Sequence, residues 1–207
     1  MARELIRLAG NPEAALERAA TVLAGGGVAV FPTETVYGIG VAAGEAGALA
    51  RLRRLKGRDP GGKPFQFLAA DLRMARDLGA LITPRLEKLA RRFWPGPLTL
   101  VVPGSNGEGV GMRIPDSAFV LELCRRLGRA VVSSSANAAG MPPPAEAGAA
   151  DVFADEVDLL VDGGRIAGGG VPSTVASCLD GEMRILRRGG VEAGELLAAW
   201  RDAGDFP

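Results

Sequence analysis

Histidine is absent from the 207 residues of this chain. Its absence removes Ser-His-Asp and Cys-His catalysis and every His-ligated metal site. The two cysteines, Cys124 and Cys178, stand far apart with no Cys-x-x-Cys pair, so neither a disulfide framework nor a structural zinc is expected. Aromatic residues number only ten, and the 24 basic side chains are cancelled by 24 acidic ones. Zero net charge argues against a protein whose main task is coating nucleic acid, while leaving room for a local basic patch. No apolar run approaches the ~20 residues of a membrane span. The opening Met1-Ala2-Arg3-Glu4-Leu5 lacks the apolar core of a signal peptide. A soluble cytoplasmic protein with no membrane partner is the expectation.

The remaining toolkit is Lys, Arg, carboxylates, hydroxyls and backbone amides. It suits chemistry driven by positioning and charge neutralisation, above all phosphoryl or nucleotidyl transfer. Lysine is itself scarce. Of the 24 basic residues three are lysines, and two of these, Lys56 and Lys63, fall within eight residues.

A hydrophobic fraction of 47% with 23% charged residues is enough to bury one core, and a single domain over residues 1–207 is expected. Asn11-Pro12 caps a helix running to Leu23, and Gly25-Gly26-Gly27 ends it. Val28–Phe31 reads as a strand, Pro32–Gly40 as a loop and Ala46–Leu55 as a helix. Phe65–Ala69 is a further strand, and Asp71 and Thr83-Pro84 each start a helix. Trp94-Pro95-Gly96-Pro97 is a stiff corner feeding a strand at Leu98–Val102. Val110–Ile114 is a strand, Asp116 caps a helix to about Leu127, and Ala130–Ser133 is a strand. Leu159–Val161, Ser173–Cys178 and Met183–Leu186 follow as strands, with a closing helix from about Glu192 to Trp200. Strands alternating with helices, then a helix-poor stretch, predict an α/β domain with a mixed sheet.

Polar segments follow or bracket several short apolar strands, the usual place for ligands in open α/β sheets. Pro32-Thr33-Glu34-Thr35-Val36-Tyr37-Gly38 sets hydroxyls and a carboxylate in a stiff loop, and as a bare pattern it equally describes a capped turn. Arg51, Arg53, Arg54, Lys56, Arg58 and Lys63 form a basic run. Lys56-Gly57-Arg58 at the helix exit can converge on a phosphate chain or simply complement the helix dipole. Ser133 to Gly140 supplies hydroxyls and an amide after a strand, without the spacing of a P-loop. Pro172-Ser173-Thr174-Val175, Arg187-Arg188-Gly189 and Arg113 add further hydroxyls and cations. Gly168–Gly170 and Gly61-Gly62 are candidates for a closing loop.

Taken in order, Phe31-Pro32-Thr33-Glu34-Thr35-Val36-Tyr37-Gly38, Lys56-x-Arg58, Lys63-Pro64, Trp94-Pro95-Gly96-Pro97-Leu98-Thr99, Arg113-Ile114-Pro115, Ser135-x-Asn137, Pro172-Ser173-Thr174-Val175 and Leu186-Arg187-x-Gly189 resemble the YrdC/TsaC family. The resemblance runs from about Ala14 to Val191 and matches the short form without an added C-terminal domain. It implies a twisted open mixed sheet with flanking helices around a basic concave cavity. It also implies an L-threonylcarbamoyladenylate synthase, which converts L-threonine, bicarbonate and ATP to threonylcarbamoyl-AMP and pyrophosphate. Partner proteins would then move the threonylcarbamoyl group to adenosine 37 of tRNA, the t6A modification. Carried over by motif, Lys56 and Arg58 would be the catalytic pair on the ATP phosphates, with Ser135, Asn137 and Arg187 completing the nucleotide site. Thr33, Thr35, Arg113, Ser133 and Ser173 would bind L-threonine. Mg2+ is expected to arrive with ATP, and no carboxylate spacing marks a ligand for it.

The chain also departs from the family pattern. Met141-Pro142-Pro143-Pro144 carries no hydroxyl where relatives often have Ser, and Gln66 or Phe67 stands where some relatives place His. Ala176-Ser177 replaces Val-Asp, and Arg188 replaces Pro. Two other readings use the same residues: a paralogue acting on another carbamoyl or acyl adenylate, and a double-stranded RNA or tRNA-binding module with weak, salt-sensitive affinity.

Overall fold

The computed structural model describes residues 4–58, 64–148, 153, 155–167 and 170–204. Lys63, Gly61-Gly62 and Gly168-Gly169 lie outside the described residues.

Local signals set most of the elements. Asn11 Oδ1 accepts the Ala14 amide at 3.2 Å, and helix α1 follows over Pro12–Ala24. Its apolar stripe of Ala15, Leu16, Ala19 and Leu23 is buried. Helix α2 spans Ala46–Leu55 and α3 spans Leu72–Asp77, the latter capped by Asp71. Thr83 Oγ1 accepts the Leu86 amide at 3.2 Å to start α4, Pro84–Phe93. Helix α5, Ala118–Leu127, is capped by Ser117 rather than by Asp116. The Asp116 amide instead donates to Glu34 Oε1 at 2.8 Å, which takes that residue out of the helix start. Helix α6 is Ala193–Asp202.

Ten strands build one mixed sheet: β1 Glu4–Arg7, β2 Ala29–Phe31, β3 Gly38–Ala42, β4 Gln66–Leu68, β5 Leu98–Pro103, β6 Gly109–Arg113, β7 Val131–Ser135, β8 Leu159–Asp162, β9 Thr174–Ser177 and β10 Arg184–Arg187. Their spatial order is β1-β8-β2-β3-β7-β4-β6-β5-β9-β10. The pairs β1·β8, β8·β2, β4·β6 and β5·β9 are parallel, and the other five are antiparallel. The expected α/β mixed sheet with flanking helices is therefore what the chain forms.

Two strands differ from the sequence reading. The segment read as a loop through Gly40 becomes β3 from Gly38 onward, pairing with β2 and β7. Glycine is disfavoured in strands, but Gly40 has a reason to be there. A Cβ on it would stand 2.8 Å from Val132 O and 2.9 Å from Val131 Cγ1, so glycine lets β7 approach. Strand β1 escaped notice because Leu5 and Ile6 sit between charges, and at the sheet edge Leu5 remains 50% exposed.

One large apolar cluster joins residues of α1, α3, α4, α5 and α6 to the sheet, and a smaller one packs α2, Tyr37 and Phe153 against β2, β3 and β7. Among the described residues no helix is long and apolar enough to cross a membrane.

Candidate functional site

The middle strands hold a cavity of about 450 Å3. Lys56, Arg58, Arg113, Ser133, Ser135, Asn137, Ser173 and Arg187 all line it, although they come from α2, β6, β7, the loop before β9 and β10. None of its described lining residues is acidic. The other described cations of the basic run lie elsewhere: Arg51 pairs with Asp158 at 2.6 Å, and Arg53 and Arg54 are exposed outside the cavity.

Lys56 is 8% exposed at the end of α2. Its ammonium donates to Ser135 O at 2.8 Å and to Asn137 O, and it lies 5.5 Å from the centre of the Phe153 ring. Burial first, and the neighbouring Arg58 charge second, lower its pKa to about 8. The guanidinium of Arg58 stacks on Phe65 at 4.3 Å and donates to Ser134 Oγ at 3.1 Å and Pro64 O at 3.3 Å. Lys56 and Arg58 thus flank the end of β7 from one side.

Arg113, 2% exposed, is the largest fully buried side chain. Its Nε donates to Gly96 O at 3.0 Å, so the rigid corner before β5 is its seat. Nη1 donates to Thr35 Oγ1 at 3.0 Å, and Nη2 lies 2.5 Å from Glu34 Oε1 as an ion pair. Glu34 Oε2 is buried without a donor. Burial lowers the Arg113 pKa and the Glu34 charge opposes that shift.

Thr33 and Thr35 do not line the cavity. Thr33 Oγ1 donates to Val36 O at 2.7 Å and accepts the Thr35 and Val36 amides, both at 3.2 Å, so its hydroxyl is occupied within its own turn. With that proton committed, the 3.0 Å contact between the two hydroxyls has Thr35 as donor, which leaves a Thr35 lone pair for Arg113. Ser133 Oγ, also buried, donates to Ile39 O at 3.3 Å.

At the other wall, Arg187 donates to Ser173 O at 2.8 Å and to Ser173 Oγ at 3.1 Å. Ser173 Oγ touches Thr99 Oγ1 at 2.8 Å, and Thr99 donates to Gln66 Oε1 at 2.8 Å. Partial burial and the Arg113 charge lower the Arg187 pKa, which marks the two guanidinium groups as neighbours. Asn137 Nδ2 donates to Ala138 O at 2.9 Å and Met141 O at 2.7 Å, leaving a buried Oδ1 with no partner.

Sequence reasoning left four of these contributors unassigned: Glu34, Gln66, Thr99 and Ser134. Glu34, Thr99 and Ser134 lay inside segments already singled out, and only the register between strands reveals which side chains converge. The described residues contain no cluster of three His, Cys, Asp or Glu side chains able to hold a metal ion.

The Sua5/YciO/YrdC family model, described as telomere recombination, matches residues 21–189. Threonylcarbamoyl-AMP synthase of Bacillus subtilis (strain 168) is 36% identical over 197 residues, which cover 88% of this chain and 56% of that protein. The protein of the same name from Pyrococcus abyssi is 36% identical over 183 residues, 83% of this chain and 53% of its own length. The chain therefore spans about half the length of these two curated relatives. The crystal structure of P. abyssi Sua5 complexed with L-threonine superposes with a TM-score of 0.84 at 32% identity, covering 96% of this chain and 61% of that one.

Proposed function

The chain belongs to the Sua5/YciO/YrdC family, and we propose that it is a threonylcarbamoyl-AMP synthase of the cytoplasm, acting on L-threonine, bicarbonate and ATP. The observation that carries this reading is the cavity itself. Lys56 and Arg58 from the exit of α2, Arg113 from β6 and Arg187 from β10 converge on it, and no described acidic residue lines it. Such a site favours a polyanion together with a carboxylate.

In this reading Lys56 and Arg58 hold the triphosphate, with Ser135, Asn137 and Arg187 beside them, while the Arg113 guanidinium holds the threonine carboxylate. The amine of L-threonine adds to carbon dioxide derived from bicarbonate and releases a proton to water. A carbamate oxygen then attacks the α-phosphorus, a new P–O bond forms, and the P–O bond to pyrophosphate breaks. The cations keep the reacting groups in line and neutralise charge that shifts onto the leaving pyrophosphate. No histidine or other dedicated base is required for that step. Thr35 and Glu34 act on Arg113, fixing the guanidinium plane, and Thr33 holds the turn that carries them.

A resident Mg2+ does not fit this cavity, because no described lining residue is a carboxylate and Glu34 is engaged by Arg113. Magnesium enters the proposal only as part of the substrate MgATP. Downstream proteins that carry the threonylcarbamoyl group to tRNA complete the proposed pathway, and weak RNA affinity fits the basic cavity.

The test is pyrophosphate release from ATP by the purified chain, with and without L-threonine and bicarbonate. Release that needs both supports the synthase. Release indifferent to threonine points to the paralogue, and RNA binding without release points to the RNA-binding module.

A further inference from the structure

Strand β6 carries a glycine where a strand gains from a side chain. Gly111 lies in mid-strand, paired with Val101 of β5. Glycine weakens a strand interior and often marks a place where something approaches the backbone closely. Neither conformation nor protein packing explains it here. Gly111 has no positive φ, and a Cβ built on it would meet nothing nearer than Phe65 O at 3.7 Å, then Gln66 Cα and Val101 Cγ2 at 3.9 Å. Gly40, by contrast, is packed against the next strand. Gly111 lines the cavity, so the space left open by its missing side chain belongs to whatever the cavity binds.

The two neighbours of that gap differ in kind. Val101 is an apolar wall. Gln66 is a donor, and its amide orientation follows from the contacts around it. Thr99 donates its proton to Gln66 Oε1, so in the 2.8 Å contact between hydroxyls Ser173 Oγ is the donor to Thr99 Oγ1, while it accepts from Arg187, which can only donate. The chain runs in one direction, Arg187 to Ser173 to Thr99 to Gln66, and its free end is the Gln66 NH2 group. That group has no acceptor among the described residues and is not sealed from the cavity that Gln66 lines.

We infer that Gly111 and Gln66 determine which amino acid the site accepts: the substrate side chain lies over Gly111 against Val101, and its hydroxyl oxygen accepts from the Gln66 NH2 group. The inference rests on the synthase reading and names the subsite that recognises a β-hydroxy, β-methyl side chain. Valine has the same shape without the hydroxyl and would leave the Gln66 donor unpaired, the kind of mismatch that polar sites reject most strongly. Serine lacks the methyl and would leave the gap beside Val101 unfilled.

The test is steady-state pyrophosphate release with either L-threonine or L-valine varied at saturating ATP, together with thermal melts. It compares wild type with Gly111→Ala, Gly111→Val, Gln66→Leu and Gln66→Glu. Gly111→Ala should melt at or above the wild-type temperature, because its Cβ meets nothing nearer than 3.7 Å, and the melt of Gly111→Val shows whether that larger side chain is also accommodated. In both variants KM for L-threonine should rise roughly tenfold or more, with KM for ATP unchanged within about twofold. Gln66→Leu should reduce the threonine-over-valine ratio of kcat/KM about tenfold, chiefly by loss of threonine turnover. Gln66→Glu keeps the acceptor for Thr99 while removing the donor, so it should lose the same preference without unfolding. An unchanged threonine KM in both glycine variants overturns the inference, as does a rise in the ATP KM instead. An unchanged threonine-over-valine ratio in both glutamine variants also overturns it. Failure of the synthase reading is seen separately, as absence of threonine-dependent release in the wild type, and that result removes the inference as well.

Discussion

Arginines on the outer surface and cations in the cavity use the same chemistry to opposite ends. On the surface, arginine after arginine meets a carboxylate, as in Arg76–Glu87 at 2.5 Å, Arg18–Glu4 at 2.7 Å and Arg129–Glu45 at 2.9 Å. In the cavity, Lys56 is held by two backbone carbonyls and Arg187 by the carbonyl and hydroxyl of Ser173. Neutral oxygens fix a cation without cancelling its charge. A chain with no net charge thereby gathers positive potential where a polyanion would bind, with no described carboxylate in the cavity lining. Arg113 is intermediate: it is buried like a core residue and paired with Glu34, yet it lines the cavity.

The largest effect is expected where a cavity cation is paired with a described carboxylate, at Arg113 and Glu34. Arg113→Ala leaves Glu34 without its counter-ion in a largely buried setting, and about 3 kcal/mol of stability should be lost. Urea denaturation reads that loss, and activity should fall with it. Arg113→Lys should recover part of the stability but not the planar fork that serves two acceptors.

Lys56→Met and Arg58→Ala should behave in the opposite way. Each should lose at least tenfold in turnover, about 1.4 kcal/mol or more of barrier. In Lys56→Met stability should change little, because a desolvated cation held by backbone carbonyls is removed. Near wild-type turnover in Arg58→Ala would take Arg58 out of the site.

A smaller effect is expected from pH. The Lys56 pKa is lowered to about 8, so the amine is mostly charged at pH 7 and loses its charge as pH rises through that value. kcat/KM for ATP, which reports the free enzyme, should therefore decline above about pH 8. In Lys56→Arg any residual activity should hold to higher pH.

The smallest change belongs to the surface. The Arg73–Asp77 pair spans 3.9 Å between exposed side chains. Arg73→Ala should shift stability by less than about 0.5 kcal/mol and leave activity unchanged.

The sequence revealed the fold wherever the signal was local. Asn11, Asp71 and Thr83 cap the helices they were read to start, and β2, β5, β6, β7, β8 and β9 fall on the apolar runs expected for them. β3 was hidden because its glycines answer to a neighbouring strand, a contact that no local pattern encodes. The site was legible as a set of separate cationic and hydroxyl segments. How they divide the work was not. Thr33 and Thr35 look alike in sequence, yet one closes a turn and the other props Arg113. Gln66 stands beside Gly111 only through the pairing of β4 with β6, and it meets Thr99 only because β5 lies next in the sheet.

In the proposed reaction this cavity joins a threonine carbamate to the adenylate of ATP. Mass spectrometry of the product formed from L-threonine, ATP and 13C-labelled bicarbonate tests it most directly. The expected species is AMP joined to threonine through one labelled carbon, appearing together with pyrophosphate. An adduct without the labelled carbon, or AMP and pyrophosphate with no adduct, would contradict it.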